Sequence, residues 1–437
     1  MPNATRAEPR PTAQRCRDDE HNTVTERYKC WCALGALPIC LMLSGTAIGA
    51  EYRHAEEPIG DVEDVYSGHL TPDLAVNTFR NIDRLFPSRI IAAGGTPRPL
   101  PAASGASLDG ISVEVDGKTY DLFDYLALNS VAGLLVMQDG EIVYETYQRG
   151  NDENTRWMSM SVAKSISSTL AGMAIKDGLI EGLDAQVVDY VPALKGSAYD
   201  GVSLRDILMM SSGVAWNETY TDVDSDRRDL LRAQIAQTPG GAMDVMAGLP
   251  RAAEPGTVNN YSTGETQILA EFIHSAIDRP LAEYLSEKLW QPYGMESDAT
   301  WWLESPDGVE IGGSGIGATL RDYARFGQFI LDDGVIDGES LLPEGWVEEA
   351  STPKTLKGGD DLEYGYMWWT GWTPESREDQ AFSAVGIQGQ YVYINPAHNV
   401  VIAQNAAEPK PLGKHVVDPM VFFDAIVAHL GGQQEAP

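Results

Sequence analysis

Met158-Ser159-Met160-Ser161-Val162-Ala163-Lys164-Ser165 opens an apolar-periodic segment that continues to Asp177. Ala163, Ile166, Leu170 and Met173 recur at helical spacing, which predicts a helix from about Met160 to Asp177 with one face in a core. On that helix Ser161 and Lys164 are three residues apart, on one face and within reach of each other. First-turn N–H groups lack intrahelical partners, so the N–H of Ser161 is free to donate to an anion. A lysine in a dry cleft has its charged form disfavoured and can act as a base. The same spacing also fits an N-cap serine with a solvated lysine one turn later, and the motif alone does not choose. A second S-x-x-K, Ser351-Thr352-Pro353-Lys354, lies in a Pro-broken segment with no apolar helix behind it and reads as a surface loop.

Outward from this helix the chain turns to strands on both sides. Val131–Val136 and Glu141–Tyr147 are β-prone runs joined by Gln138-Asp139-Gly140, a hairpin signal. Gln390–Ile394 and Asn399–Ala403 form a second pair, and an amphipathic helix follows at Pro419–Leu430. Strands at both ends with helices between them predict an α/β (α+β) fold. An antiparallel sheet is closed by the two ends of the chain and flanked by helices, with a mainly helical lobe at about 185–350. Residues 121–437 make up that domain, and residues 51–120 an acidic approach segment. The approach carries a helical stretch near Asp73–Leu85 and an extended crossing at 94–105.

Of the 437 residues 43% are apolar, enough for a large core, and 31 Lys and Arg face 64 Asp and Glu, a formal net of −33. Such a surface repels nucleic-acid backbones and anionic lipid, so neither is an expected partner. The four cysteines, Cys16, Cys30, Cys32 and Cys40, all lie in the first 40 residues. There Lys29, an apolar run and small residues up to Ala47 or Ala50 read as a signal peptide within a leader of residues 1–50. An uncleaved anchor is the alternative, since Cys30–Ala50 is just long enough to span a bilayer, although Pro38 and several glycines interrupt it. The sequence before Cys40 lacks the small residues expected of a lipoprotein. The expectation is an exported chain, periplasmic or secreted, with no integral membrane domain once the leader is removed. Without cysteine it has no disulfide framework, thiolate zinc site or cysteine nucleophile.

G-x-S-x-G, H-E-x-x-H, a P-loop and G-x-G-x-x-G are all missing, which removes the common α/β-hydrolase, zinc-hydrolase and nucleotide signatures. What surrounds the Ser161 helix is more specific. The 158–165 stretch is followed by GLIEGLDAQVVDYVPAL (178–194), VSLRDILMMSSGVAW (202–216), EPGTVNNYSTGE (254–265) and LAEYLSEKLWQPYGM (281–295). In this order, over roughly residues 75–430, the chain resembles the serine β-lactamase-like superfamily of penicillin-binding proteins, class C enzymes and family VIII esterases. FRNIDRLFPSR (79–89), Trp216-Asn217-Glu218-Thr219-Tyr220, Gly365–Trp369 and Gly386-Ile387-Gln388-Gly389-Gln390 look like its 6-aminohexanoate-dimer hydrolase branch.

The resemblance implies roles residue by residue. Ser161 would be the nucleophile, Lys164 its base, and Tyr261 of Tyr261-Ser262-Thr263 the relay to the leaving group. Thr263 departs from the usual Asn or Ser, although its hydroxyl can keep a polar contact. The backbone N–H groups of Ser161 and Ile387 would form the oxyanion hole, with Gly386 permitting close backbone approach. K-T-G is absent, so the side chains that hold a β-lactam carboxylate are missing and strong β-lactam turnover is not expected. Tyr220 stands where the branch has a tyrosine that closes over bound amide, or is a packing aromatic. Trp368 or Trp369 is core or lines an acyl site. Asp222, Asp224, Asp226 and Asp229 would attract a cationic substrate end, or are a solvated acidic loop. The implied substrate is a small ester or amide, cleaved through a Ser acyl-enzyme without cofactor or metal by a monomer or homodimer. Esterase activity is expected first and 6-aminohexanoate-type amidase second. D-Amino-acid peptidase or weak β-lactamase activity comes third, and a silent cell-wall-associated binding protein is the non-enzyme alternative.

Overall fold

The computed structural model describes residues 52–413 and 415–434, so the expected leader and its four cysteines lie outside the described residues. Along the chain, α1 (Val62–Ser67) and α2 (Pro72–Phe79) lead to strand β1 (Ser88–Ile91), the hairpin β2 (Val131–Gln138) and β3 (Glu141–Tyr147), and β4 (Arg156–Met158). Then come α3 (Val162–Lys176), α4 (Asp226–Ala236), α5 (Thr263–Ile277), β5 (Ala299–Trp302), β6 (Ile316–Thr319) and α6 (Leu320–Leu331). The C-terminal part supplies β7 (Trp369–Thr370), β8 (Phe382–Gly386), β9 (Gln390–Asn395), β10 (Val400–Ala406) and α7 (Pro419–Gln434).

Six strands form one antiparallel sheet in the order β7-β8-β9-β10-β2-β3, so strands from the two halves of the chain meet where β10 pairs with β2. Asp139 and Gly140 take φ of 52° and 78°, the left-handed pair that a tight hairpin requires. Alternation sorts the side chains. Leu134 and Val136 point to a layer with Phe422, Phe423 and Ile426 of α7, while Leu135 and Met137 face the core that holds α3 and α6. Because both faces are covered, β2 reads as an unbroken apolar run rather than an alternating one.

The α3 helix is buried on nearly every side, not on one face as its periodicity suggested. Its hydroxyls make this possible. Ser165 donates to Met367 O (2.6 Å), Ser167 to Gly312 O (2.8 Å) and Thr169 to its own Ser165 O (2.8 Å). A Cβ at Gly172 would lie 2.6 Å from the Trp346 ring, so only glycine admits that neighbour.

Two expectations shift in detail. The Asp73–Leu85 stretch is two pieces, α2 and a 3-10 turn at Ile82–Arg84. The region expected as a helical lobe also contains β5 and β6, the middle strands of a second sheet in the order β1-β5-β6-β4, and α6, which packs on the six-stranded sheet. The 94–105 crossing runs beside β3, where Ala103 N–H donates to Ile142 O (2.8 Å). No helix among the described residues is long and apolar enough to cross a membrane.

Candidate active site

The turn into α3 is fixed by the second sheet. Ser159 N–H donates to Ile316 O (2.7 Å), and Ser159 Oγ accepts from Ile316 N–H (3.1 Å). Met160 then takes φ of 44°, a left-handed conformation that costs a non-glycine residue energy and is found at functional turns. Ser161 follows at the helix N-terminus and faces a cavity of about 610 Å³. Its N–H has no protein acceptor among the described residues.

Lys164 is fully buried, and its Nζ has three oxygen neighbours: Ser161 Oγ at 3.1 Å, Thr263 Oγ1 at 3.1 Å and Gly313 O at 2.9 Å. Burial pushes Lys164 down to about 7; the Glu218 carboxylate opposes this and the Arg227 guanidinium adds to it. The directions of the bonds are forced. The Gly313 carbonyl only accepts, and Thr263 spends its one hydroxyl proton on the Glu218 carboxylate, so towards Lys164 it also accepts. A neutral amine has two protons for these two acceptors. Its lone pair is left for the Ser161 hydroxyl.

Tyr261 sits one residue before the α5 N-cap, Ser262, its ring centre 5.4 Å from Lys164 Nζ and 5.4 Å from the Trp369 ring. Burial first, and then Glu218, push its phenol well above the ordinary range, while hydrogen bonding to Ser161 pulls the other way. Tyr261 is therefore a neutral phenol at pH 7, able to donate a proton.

Across the cavity, β8 ends at Gly386 against the α3 turn. A Cβ there would lie 2.6 Å from Ser159 O, a backbone atom, so the close approach requires glycine. Ile387 follows at the cavity wall, its N–H also without a protein acceptor among the described residues.

The structure thus brings Ser161, Lys164, Tyr261, Thr263, Gly386 and Ile387 together, and Tyr220 joins them at the cavity wall. Trp368 does not join. It is buried on Phe326 (6.0 Å) and Phe382 (5.2 Å), and the neighbouring Trp369 lines the cavity instead. None of the four aspartates lines the cavity; Asp226 accepts from Asn217 N–H (2.7 Å), Asp222 from Asp224 N–H (3.0 Å), and Asp229 pairs with Arg232. The Ser351–Lys354 copy is not a loose loop, because Ser351 ends the short helix Trp346–Ser351 and Lys354 lies 4.8 Å over the Tyr366 ring. Sequence reasoning passed over Glu218, which accepts from Thr263 N–H (2.9 Å), the Thr263 hydroxyl and Trp216 Nε1. One carboxylate among many in an acidic stretch carries no signal of its own. Among the described residues no group of His, Cys, Asp and Glu is placed to hold a metal ion.

Comparison with known proteins agrees with this architecture. The Beta-lactamase family profile matches residues 127–423, more than half of the chain. The 6-aminohexanoate-dimer hydrolase of Paenarthrobacter ureafaciens is 29% identical over 329 residues, covering 72% of this chain and 81% of that one. A D-aminopeptidase of Brucella anthropi is 31% identical over 192 residues, 34% of this chain and 36% of that one. Among solved structures, a Bacillus anthracis protein named for 6-aminohexanoate-dimer hydrolase superposes with a TM-score of 0.72 at 23% identity, over 82% of this chain and 94% of that one. A family VIII carboxylesterase gives 0.53 at 16% identity, over 71% and 96%. With a buried Ser-x-x-Lys helix packed against the six-stranded antiparallel sheet and a profile match over most of its length, the chain belongs to the β-lactamase family of serine hydrolases.

Proposed function

We propose that this hydrolase cleaves small esters first and linear amides second through an acyl group on Ser161. The observation that carries the reading is the Lys164 environment: a buried amine that loses its proton at about pH 7, and whose neutral form has its two N–H bonds taken and its lone pair turned to the Ser161 hydroxyl. Lys164 accepts the Ser161 proton as Oγ attacks the carbonyl carbon. The N–H groups of Ser161 and Ile387 bind the oxyanion that forms. As the intermediate collapses, Tyr261 gives its proton to the leaving oxygen or nitrogen and is reprotonated through Lys164. Water then attacks the acyl-enzyme along the reverse path. An alkoxide leaves more readily than an amine, which favours esters.

The amide reading gains support from the 6-aminohexanoate-dimer hydrolase relative and from Tyr220, which lines the same cavity as Tyr261. Strong β-lactam turnover is not favoured, because no K-T-G lysine stands on β8. Lys410 does reach the cavity, but its Nζ is engaged with Gly68 O (2.8 Å). A serine-reactive phosphonate tests the reading: an adduct on Ser161 that blocks p-nitrophenyl acetate hydrolysis is expected, and no adduct overturns it. Running p-nitrophenyl acetate, 6-aminohexanoate dimer and nitrocefin side by side ranks the substrates, and turnover of nitrocefin alone would refute the ester and amide preference.

A further inference from the structure

Helix α1 comes from the approach segment, outside the region matched by the family profile, yet it touches three walls of the cleft. The buried Tyr66 ring stacks on Tyr220, centre to centre 6.3 Å with 19° between planes. The Arg227 guanidinium lies 4.2 Å from the same Tyr66 ring. Arg227 is 1% exposed, and its Nε and Nη1 find no hydrogen-bond partner among the described residues, so the ring face is a main contact of a buried charge. Arg228 beside it donates to Ser67 Oγ (3.3 Å).

The same helix holds the opposite wall. Val65 O accepts from Gln388 Nε2 (3.1 Å), next to Ile387, and Gly68 O accepts from Lys410 Nζ (2.8 Å). Gly68 caps α1 with φ of 64°, and a Cβ there would fall 2.8 Å from Lys410 Cδ and 2.9 Å from Pro409 O. A six-residue helix is not stable alone, so these contacts and α1 hold one another in place.

The Tyr220 loop has its own closure, since Arg227 N–H donates to Asn217 O (3.1 Å) and Asp226 accepts from Asn217 N–H (2.7 Å). This neck shapes the loop, and Glu218 ties its start to Thr263 at the α5 N-terminus. Tyr66 adds the link between Tyr220 and α1.

We propose that α1 is a clasp across the cleft, and that Tyr66, backed by Arg227, is the positioning residue that holds Tyr220 at the cavity. Through Val65 and Gly68 the clasp also ties the 387–389 turn and the 408–413 segment to the same helix. The inference deepens the hydrolase reading and rests on it for the part that concerns substrate. It makes the approach segment part of the acyl site's walls, so acyl groups long enough to reach Tyr220 depend on α1 while an acetyl group does not.

Two measurements on Tyr66→Ala, Tyr66→Phe and Gly68→Ala test this. In the unliganded protein, amide hydrogen exchange in 217–226 is expected to speed up about tenfold in Tyr66→Ala and to stay parental in Tyr66→Phe, which keeps the stack. Gly68→Ala should speed exchange in 408–413 by a similar factor. With p-nitrophenyl hexanoate, Tyr66→Ala should raise KM about fivefold or more, against less than about twofold with p-nitrophenyl acetate, kcat being nearly constant in both. Parental exchange in a folded Tyr66→Ala overturns the clasp, as does an equal effect on both esters. If Tyr66→Ala does not fold, Tyr66→Leu carries the same two readouts. If the parent protein fails to hydrolyse either ester, the hydrolase reading falls, while the exchange data still decide the clasp.

Discussion

Thr263 is held to Glu218 by two hydrogen bonds, one from its backbone N–H (2.9 Å) and one from its hydroxyl. That second bond orients the Thr263 oxygen so that it accepts from Lys164 Nζ, and the amine lone pair is turned to Ser161 as a result. A carboxylate three hydrogen bonds away from the serine thus decides which way the lysine faces.

Replacing Lys164 tests the base directly. Lys164→Ala is expected to lower the acylation rate by about 10²–10⁴-fold, the range for removing a general base, with the melting temperature changed far less. The parent's kcat/KM should rise with pH through about 7, because Lys164 must lose its proton to serve. Lys164→Arg, protonated at every accessible pH, should stay inactive across the profile. Near-parental acylation by Lys164→Ala would take the lysine out of the mechanism.

Two charges bias that proton in opposite senses, and each can be removed. Glu218 raises the Lys164 pKa, so Glu218→Gln should shift the acidic limb of the profile below about 7. Arg227 lowers it, so Arg227→Met should shift the limb above about 7. Stopped-flow acylation across pH 5–9 reads both, and limbs moving in the same direction would contradict the assignment.

Gly386→Ala places a methyl 2.6 Å from Ser159 O, and a backbone oxygen cannot swing aside. The strand must retreat and take Ile387 N–H with it. A loss of about 10²–10³ in kcat at nearly unchanged KM is expected, the size seen when one oxyanion donor is removed. A parental kcat would mean that Ile387 N–H is not used.

Glu265 gives a stability prediction. It is fully buried and accepts from the Ser212 hydroxyl, while its other oxygen has no partner among the described residues. Burial pushes its carboxyl up to about 8 from the ordinary 4.5. Between those two pH values the folded chain binds one more proton than the unfolded chain, so stability falls as pH rises through this window. Glu265→Gln should be close to neutral at pH 5 and stabilising at pH 8.5, by an amount on the order of 4 kcal/mol. Thermal unfolding at the two pH values checks it.

The two tryptophans separate packing from contact. Trp368→Leu removes a buried ring from the Phe326–Phe382 cluster and should cost roughly 3 kcal/mol of stability with KM little changed. Trp369→Leu should do the reverse, raising KM for longer acyl esters at nearly parental stability.

Much of this was legible beforehand because it is local. Period and turn chemistry give the β2–β3 hairpin and the α3 helix, and the i, i+3 spacing brings Ser161 to Lys164 whatever the rest of the chain does. Tyr261 and Ile387 were reachable only through the resemblance, since no spacing rule links residues on separate elements. Glu218, Arg227 and Tyr66 escaped because their significance lies in who surrounds them. A buried arginine with a ring for a partner looks, in sequence, like any arginine of an acidic surface helix. Trp368 and Trp369 are adjacent and identical in type, and only the packing of the chain where it enters β7 says which one points to the cavity.

The pairing of β10 with β2 also fixes when the site can exist. Ser161 enters its helix soon after the β2–β3 hairpin, but Ile387 arrives in the turn between β8 and β9, in a meander whose last strand, β10, must find β2 across more than half of the chain. Contacts of such separation form late in folding. A nascent chain that has emerged only through α6 holds the serine and its lysine without the Ile387 N–H that we propose as second oxyanion donor. Hydrolytic competence is therefore withheld until the last strands dock, and recovery of turnover on refolding should lag behind recovery of helix.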